Sequence, residues 1–131
     1  MRVLDGKLCL IMKCSKCCIK TEMIISYRDI LQILRAGFSL SDFAYYDGKY
    51  WRLRNKNGRC VFLDEKGLCT IYDMRPIGCR AYPIIIVETE TATKCDVDSI
   101  CPLSFAITEN ELHEGCKLLK ILFKQLGEKI L

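Results

Sequence analysis

Histidine occurs once, at His113, and proline three times in 131 residues. With a single imidazole, no cysteine–histidine–acid set of the kind that activates a nucleophile stands out. No glycine-rich strand–turn–helix motif for a nucleotide or S-adenosylmethionine is present. Apolar runs stay short; Ile84–Val87 is strand-sized, far below the length of a membrane span. The opening stretch, MRVLDGKLCLIMKC, has Asp5, Gly6 and Lys7 where a signal peptide requires an uninterrupted apolar core. The chain carries no internal repeat, no low-complexity tract and no linker. These absences lead us to expect one domain over residues 1–131, in the cytoplasm, where thiols stay reduced.

What the chain has in excess is sulfur. It holds ten cysteines, far above ordinary usage, in an otherwise ordinary composition that is 50% apolar and 27% charged. In a reduced compartment, clustered cysteines point to metal ligation ahead of disulfides or unligated core thiols. The formal charge of +4 counts every cysteine as neutral, whereas metal ligands are thiolates. A four-thiolate site around Zn²⁺ or a [4Fe–4S]²⁺ core carries about −2, so two such sites bring the protein near neutrality. The basic excess therefore balances thiolates and argues against a nucleic-acid partner.

Along the chain, Asp5-Gly6 suits a tight hairpin turn between Met1–Leu4 and Lys7–Met12, delivering the chain into Cys14-Ser-Lys-Cys17-Cys18. Cys14 and Cys17 have the spacing with which one loop aims two sulfurs at one metal, and adjacent Cys18 points more easily elsewhere. Cys9 lies in an apolar run, where burial as a small hydrophobe competes with ligation. Thr21–Ile25 reads as a short strand. Ser26 suits an N-cap, with Asp29 near the positive helix end, and Ile30, Ile33 and Leu34 form a stripe ending at Gly37. A second short helix is expected from Ser39 to about Tyr45, and Lys49–Arg54 alternates as a strand would.

The densest stretch is Gly58–Pro83, GRCVFLDEKGLCTIYDMRPIGCRAYP. Asn57-Gly58 is a turn signal before a strand, Cys60–Leu63, and Asp64–Gly67 turns the chain back into Leu68–Tyr72. If Leu63 faces Leu68, Cys60 and Cys69 become diagonal neighbours roughly 7–8 Å apart, a gap that a metal bridges more comfortably than a disulfide. Pro76 suits the first position of a short helix carrying Cys79 and Arg80. Ile84–Thr89 reads as a buried strand and Thr91–Ser99, with Cys95, as a loop before Cys101-Pro102. Thr108 and Glu111 form a capping box for a final helix, about residues 109–130, with an apolar stripe of Leu112, Cys116, Leu119, Leu122, Phe123, Leu126 and Ile130. Cys116 within that stripe reads as core rather than ligand. His113 and the Lys117/Lys120/Lys124 series fall on the wet side.

These residues resemble the YkgJ-type CxxCxxCC cysteine-cluster family, a zinc- or iron-chelating domain that also occurs in the flagellin lysine N-methylase FliB. Its central signature is matched by Gly58, Cys60, Phe62, Leu63, Gly67, Cys69, Ile71, Tyr72, Arg75, Pro76, Cys79, Arg80, Tyr82 and Pro83. The resemblance covers about residues 14–102. It departs at Ile11, where the first motif cysteine would fall, at Lys16 and at Leu103, where glycines are usual; Cys9 is the available substitute ligand.

Residues and resemblance together imply a small, irregular, cysteine-rich α+β domain with short β-hairpins, a few short helices and a longer C-terminal helix. The expected metal ligands are Cys14, Cys17, Cys18, Cys60, Cys69, Cys79, Cys95 and Cys101. Arg75 and Arg80 are placed to donate hydrogen bonds to the thiolates, or to pair with Asp64, Asp73 or Glu88. Tyr72 and Tyr82 read as packing aromatics beside the site. All-thiolate ligation suits both zinc and iron–sulfur clusters; abundant cysteine without histidine favours [4Fe–4S], with zinc as the alternative. The expected role is structural or electron-transferring, with a protein partner and no membrane. The alternative is a part in FliB-like protein lysine methylation or another modification reaction.

Overall fold

The first helix begins where a serine and an aspartate satisfy each other's backbone. Ser26 accepts a hydrogen bond from the Asp29 amide, and the Asp29 carboxylate accepts one from the Ser26 amide, which closes the N-terminus of α1 (Tyr27–Arg35). Those pairings occur in a computed structural model that describes residues 21–88, 93–99, 101 and 103–127. The hairpin expected over residues 1–12, Cys9 and the Cys14/Cys17/Cys18 knot lie outside the described residues. Ile30 and Ile33 are buried, and Gly37, at positive φ, follows the helix end as its sequence position suggests. Leu34, expected in the buried stripe, instead faces solvent.

α2 (Leu40–Phe43) is shorter than the expected helix to Tyr45. At Ala44 the chain leaves the helix for β2 (Ala44–Tyr46), which pairs antiparallel with β3 (Trp51–Leu53). Pairing wins because it buries Ala44 against Leu53, a tertiary gain that outweighs helix propensity. β1 (Ile24–Ile25) flanks the other edge of β3, giving the order β1-β3-β2. Of the alternation expected over Lys49–Arg54, only its end is visible in burial, with Leu53 buried and Arg54 exposed, while Tyr50, Trp51 and Arg52 are all half-buried. The strand starts only at Trp51, because the Asp47 carboxylate takes the amides of Lys49 and Tyr50 into the loop.

Asn57 (φ 55°) and Gly58 (φ 77°) form the turn between β4 (Asn55–Lys56) and β5 (Arg59–Cys60), with Asn55 opposite Cys60. Two successive positive φ values define the tight hairpin turn that Asn-Gly favours. Beyond it the expected strands contract to a single bridge between Leu63 and Cys69, one residue off the expected facing of Leu63 with Leu68. The Asp64 carboxylate explains the shift. It accepts from the amides of Lys66 and Leu68, and the Asp64 amide donates to the Leu68 carbonyl, so the turn closes on Leu68.

Pro76 caps α3 (Ile77–Ala81) rather than opening it, and a cis peptide joins Tyr82 to Pro83. β6 (Ile84–Glu88) pairs antiparallel with β7 (Thr93–Val97), placing Cys95 opposite Ile86. Thr108 caps α4 (Glu109–Gln125), whose Leu119 and Leu122 are buried. α4 lies close on β6 at Gly115, where a β-carbon would overlap the Ile84 side chain; glycine permits that approach. Among the described residues there are thus two principal apolar clusters. One gathers Ile25, Ile33, Phe43, Leu53, Phe62 and Ile71, and the other gathers Ile77, Ala81, Ile84, Leu119 and Leu122. Asp29 spans them, accepting from the Ile77 amide at 3.2 Å. Burial pushes its carboxyl up from 3.8, opposed by the Ser26 and Ile77 amides and by the charge of Arg80. The architecture is the small α+β domain anticipated, and no helix among the described residues is long and apolar enough to cross a membrane.

Candidate metal centre

Three thiols reach the first cluster from three different pieces of backbone. Cys60 ends β5 and is buried; Cys69 sits half-buried across the bridge from Leu63; Cys79 is half-buried in the middle of α3. All three pack on the cluster that contains Phe62 and Ile71. Cys101 is also a thiol and is buried, but it packs with Leu103 and Tyr82 in a small satellite cluster. Among the described residues, no group of three or more His, Cys, Asp or Glu side chains is arranged to hold a metal ion. Cys14, Cys17 and Cys18, the remaining expected ligands of the N-terminal knot, lie outside the described residues. The three cysteines that share this apolar cluster carry sulfur, and soft thiolates suit zinc or iron rather than magnesium or calcium.

Cys95 departs from the sequence expectation. Its sulfur is bonded to Cys116 at 2.02 Å, with the α-carbons 5.8 Å apart, inside the range a disulfide spans. An oxidised sulfur is no thiolate ligand, so Cys95 leaves the expected ligand set and Cys116 is more than a core thiol. The reason is that Thr93–Val97 is a strand and not a loop. On it Lys94 and Asp96 are exposed, while Cys95 and Val97 turn inward beneath α4. That alternation was present in Lys94-Cys95-Asp96-Val97 and is the signal that could have shown Cys95 turned inward, though not its partner.

The flanking groups are otherwise engaged. The Arg75 Nε donates to the Tyr72 carbonyl at 3.0 Å, and its guanidinium lies 4.2 Å from the Tyr72 ring centroid. Arg75 is therefore a clamp on the turn between Cys69 and Cys79. Arg80 is exposed, and its charge favours the ionised Asp29 carboxylate. Tyr82 donates its hydroxyl to Asp98 at 2.6 Å, the satisfied hydroxyl anticipated for a packing aromatic. Sequence reasoning placed Asp29 at a helix start and missed its bond to the Cys79-bearing helix, because only the fold brings residues 48 apart together.

A family model described as "CxxCxxCC: Putative zinc- or iron-chelating domain" matches residues 8–102. The chain belongs to the CxxCxxCC family. No curated protein and no solved structure matches it. The CxxCxxCC span takes in every cysteine except Cys116, which α4 supplies from beyond it. Zinc or iron chelation is what the family description carries, and the thiols among the described residues are donors of a kind that suits either metal.

Proposed function

We propose that this protein ligates a [4Fe–4S] cluster, or zinc as the alternative, and serves a structural or electron-transfer role with a protein partner. The observation that carries the reading is the convergence of Cys60, Cys69 and Cys79 on one cluster from β5, the following turn and α3. Cys14, Cys17 and Cys18 complete the ligand set in this proposal, with Cys101 as the remaining thiol. A bound cluster would supply a one-electron couple, whereas zinc would supply only folding energy. The chain's own contribution is to hold the sulfurs. The Asn57-Gly58 turn aims Cys60, the Asp64 turn fixes Cys69, and Arg75 on Tyr72 holds the approach to Cys79. The buried Ile71 and Phe62 form the apolar floor on which the three cysteines pack.

Anaerobic purification followed by metal analysis and visible absorption tests the proposal. Iron and acid-labile sulfide with a broad visible band support the cluster; a colourless protein with stoichiometric zinc supports the alternative. A protein with neither metal, whose Cys60, Cys69 and Cys79 all alkylate in the folded state, sinks both.

A further inference from the structure

α1 carries two apolar rows, and the core uses only one. Ile30 and Ile33 are buried, while Tyr27, Leu31 and Leu34 recur at i, i+4 and i+7 on the outer side, and Phe38 continues their line beyond Gly37. These four are 69%, 50%, 37% and 38% exposed. Such spacing lays side chains in a single row along a helix. A lone exposed leucine is ordinary, but a contiguous apolar row marks a surface meant to be covered. The row is also placed over the thiol-bearing half. Phe38 meets Phe62 edge-on with ring centroids 5.1 Å apart, and Phe62 lies between Cys60 and Cys69 in the same cluster.

Charge selects the occupant. The charged side chains of α1 are Arg28, Asp29 and Arg35; Asp29 is buried and bonded, whereas both arginines are exposed. At about 100° per residue, Arg28 and Arg35 fall side by side along one border of the row, two turns apart. The exposed charge of this helix is therefore entirely positive. An antiparallel second copy would set arginine border against arginine border. The chain's own first twenty residues carry Arg2, Lys7, Lys13, Lys16 and Lys20 against Asp5 alone, which is also the wrong sign. Two cations on nine residues fall short of the Lys/Arg-rich face with which a helix lies on lipid.

We propose that the outer face of α1, Tyr27, Leu31, Leu34 and Phe38 bordered by Arg28 and Arg35, docks an acidic amphipathic helix of a partner protein. This deepens the partnered metal-protein reading, on which it rests for its purpose but not for its geometry. The partner's apolar residues would lie along the row, as in helix-in-groove recognition, with its acids on the arginine border.

The test uses the full metal-loaded chain and two synthetic helical peptides with identical leucine spacing. One carries glutamates beside the leucines, and the other carries lysines at the same positions. Fluorescence anisotropy at low salt should show the acidic peptide binding roughly tenfold or more tightly than the basic one. Arg28→Glu with Arg35→Glu should invert that preference, and Leu31→Asp should abolish binding of both. Metal content and circular dichroism are read on each variant. Loss of peptide binding with metal retained tests the docking face alone, while absence of metal from the wild type bears on the metal reading alone. Equal binding of the two peptides, or acidic-peptide binding that survives Leu31→Asp, overturns the proposal. So does self-association in sedimentation that Leu31→Asp removes, which assigns the face to a second copy. Retention on phosphatidylserine vesicles without peptide binding also overturns it, in favour of a lipid surface.

Discussion

Around Phe62 and Ile71, strands of two or three residues are joined by tight turns, and Cys60, Cys69 and Cys79 remain thiols. Around Ile84 and Leu119, a hairpin of five-residue strands lies under a helix of 17 residues, and Cys95 is bonded to Cys116. The first region lies within the span of the family match, whereas the helix that seals the second lies beyond it. The contrast teaches that cysteine does different work in each. Where long elements bury apolar surface, a disulfide fastens packing that already exists. Where short elements meet at turns, the cysteines stay as thiols, and a metal bound by them would turn its binding energy into folding energy.

Metal removal should break this symmetry most strongly. Chelation without thiol reductant should strip hydrogen-exchange protection from residues 44–74 while β6, β7 and α4 keep theirs. Equal loss across both regions would show that the metal does not distinguish them. Next in size, Leu119→Ala should cost about 2–5 kcal/mol by opening the second core, with bound metal unchanged. Denaturant unfolding alongside metal analysis checks both halves of that statement.

A smaller and sharper contrast compares the cysteines themselves. Cys116→Ser opens a link of sequence separation 21 and should lower stability by about 3 kcal/mol, with metal stoichiometry intact. Cys60→Ser, Cys69→Ser or Cys79→Ser should each lower bound metal. Metal loss in Cys116→Ser to the same extent would erase the division between the regions.

The smallest effect lies at the edge of the first region. Hydrogen bonds from the Tyr50 amide, the Arg52 side chain and the Lys49 amide hold Asp47 at about 2, below its ordinary 3.8. A depressed carboxylate contributes stability that is present above the unfolded value and lost as pH falls toward the folded one. Stability should therefore decline between pH 3.8 and about 2 in the wild type, and this component should be missing in Asp47→Asn. Parallel acid titrations of the two proteins, monitored by Trp51 fluorescence, decide the point; identical profiles would dismiss Asp47.

Much of the first region was legible because its signals are local. Ser26 and Asp29 cap α1 and Asn57-Gly58 turns the hairpin, each through contacts within a few residues, and in the second region Thr108 caps α4 in the same local way. The register after Cys60 was not legible, because the Asp64 side chain chooses among adjacent closures that alternation leaves equivalent. Nor was the disulfide, whose two cysteines meet only after β7 pairs with β6 and α4 closes over both. The outer row of α1 was half legible. The pattern shows apolar residues at Leu31 and Leu34, but only the packing decides which row the core takes.

Asp29 has one more consequence, in the order of assembly. Its carboxylate holds the Ser26 amide, three residues away, and the Ile77 amide, 48 residues away. The first bond closes with a single turn of helix; the second closes a loop containing β2–β5 and the Cys69 turn. Loop-closure entropy opposes the distant contact until the intervening chain is already compact. Asp29 is thus a latch that engages late. A chain whose thiol-bearing segment has not condensed presents no Ile77 amide for it to grip, so the seam between the two cores is drawn shut from the far end.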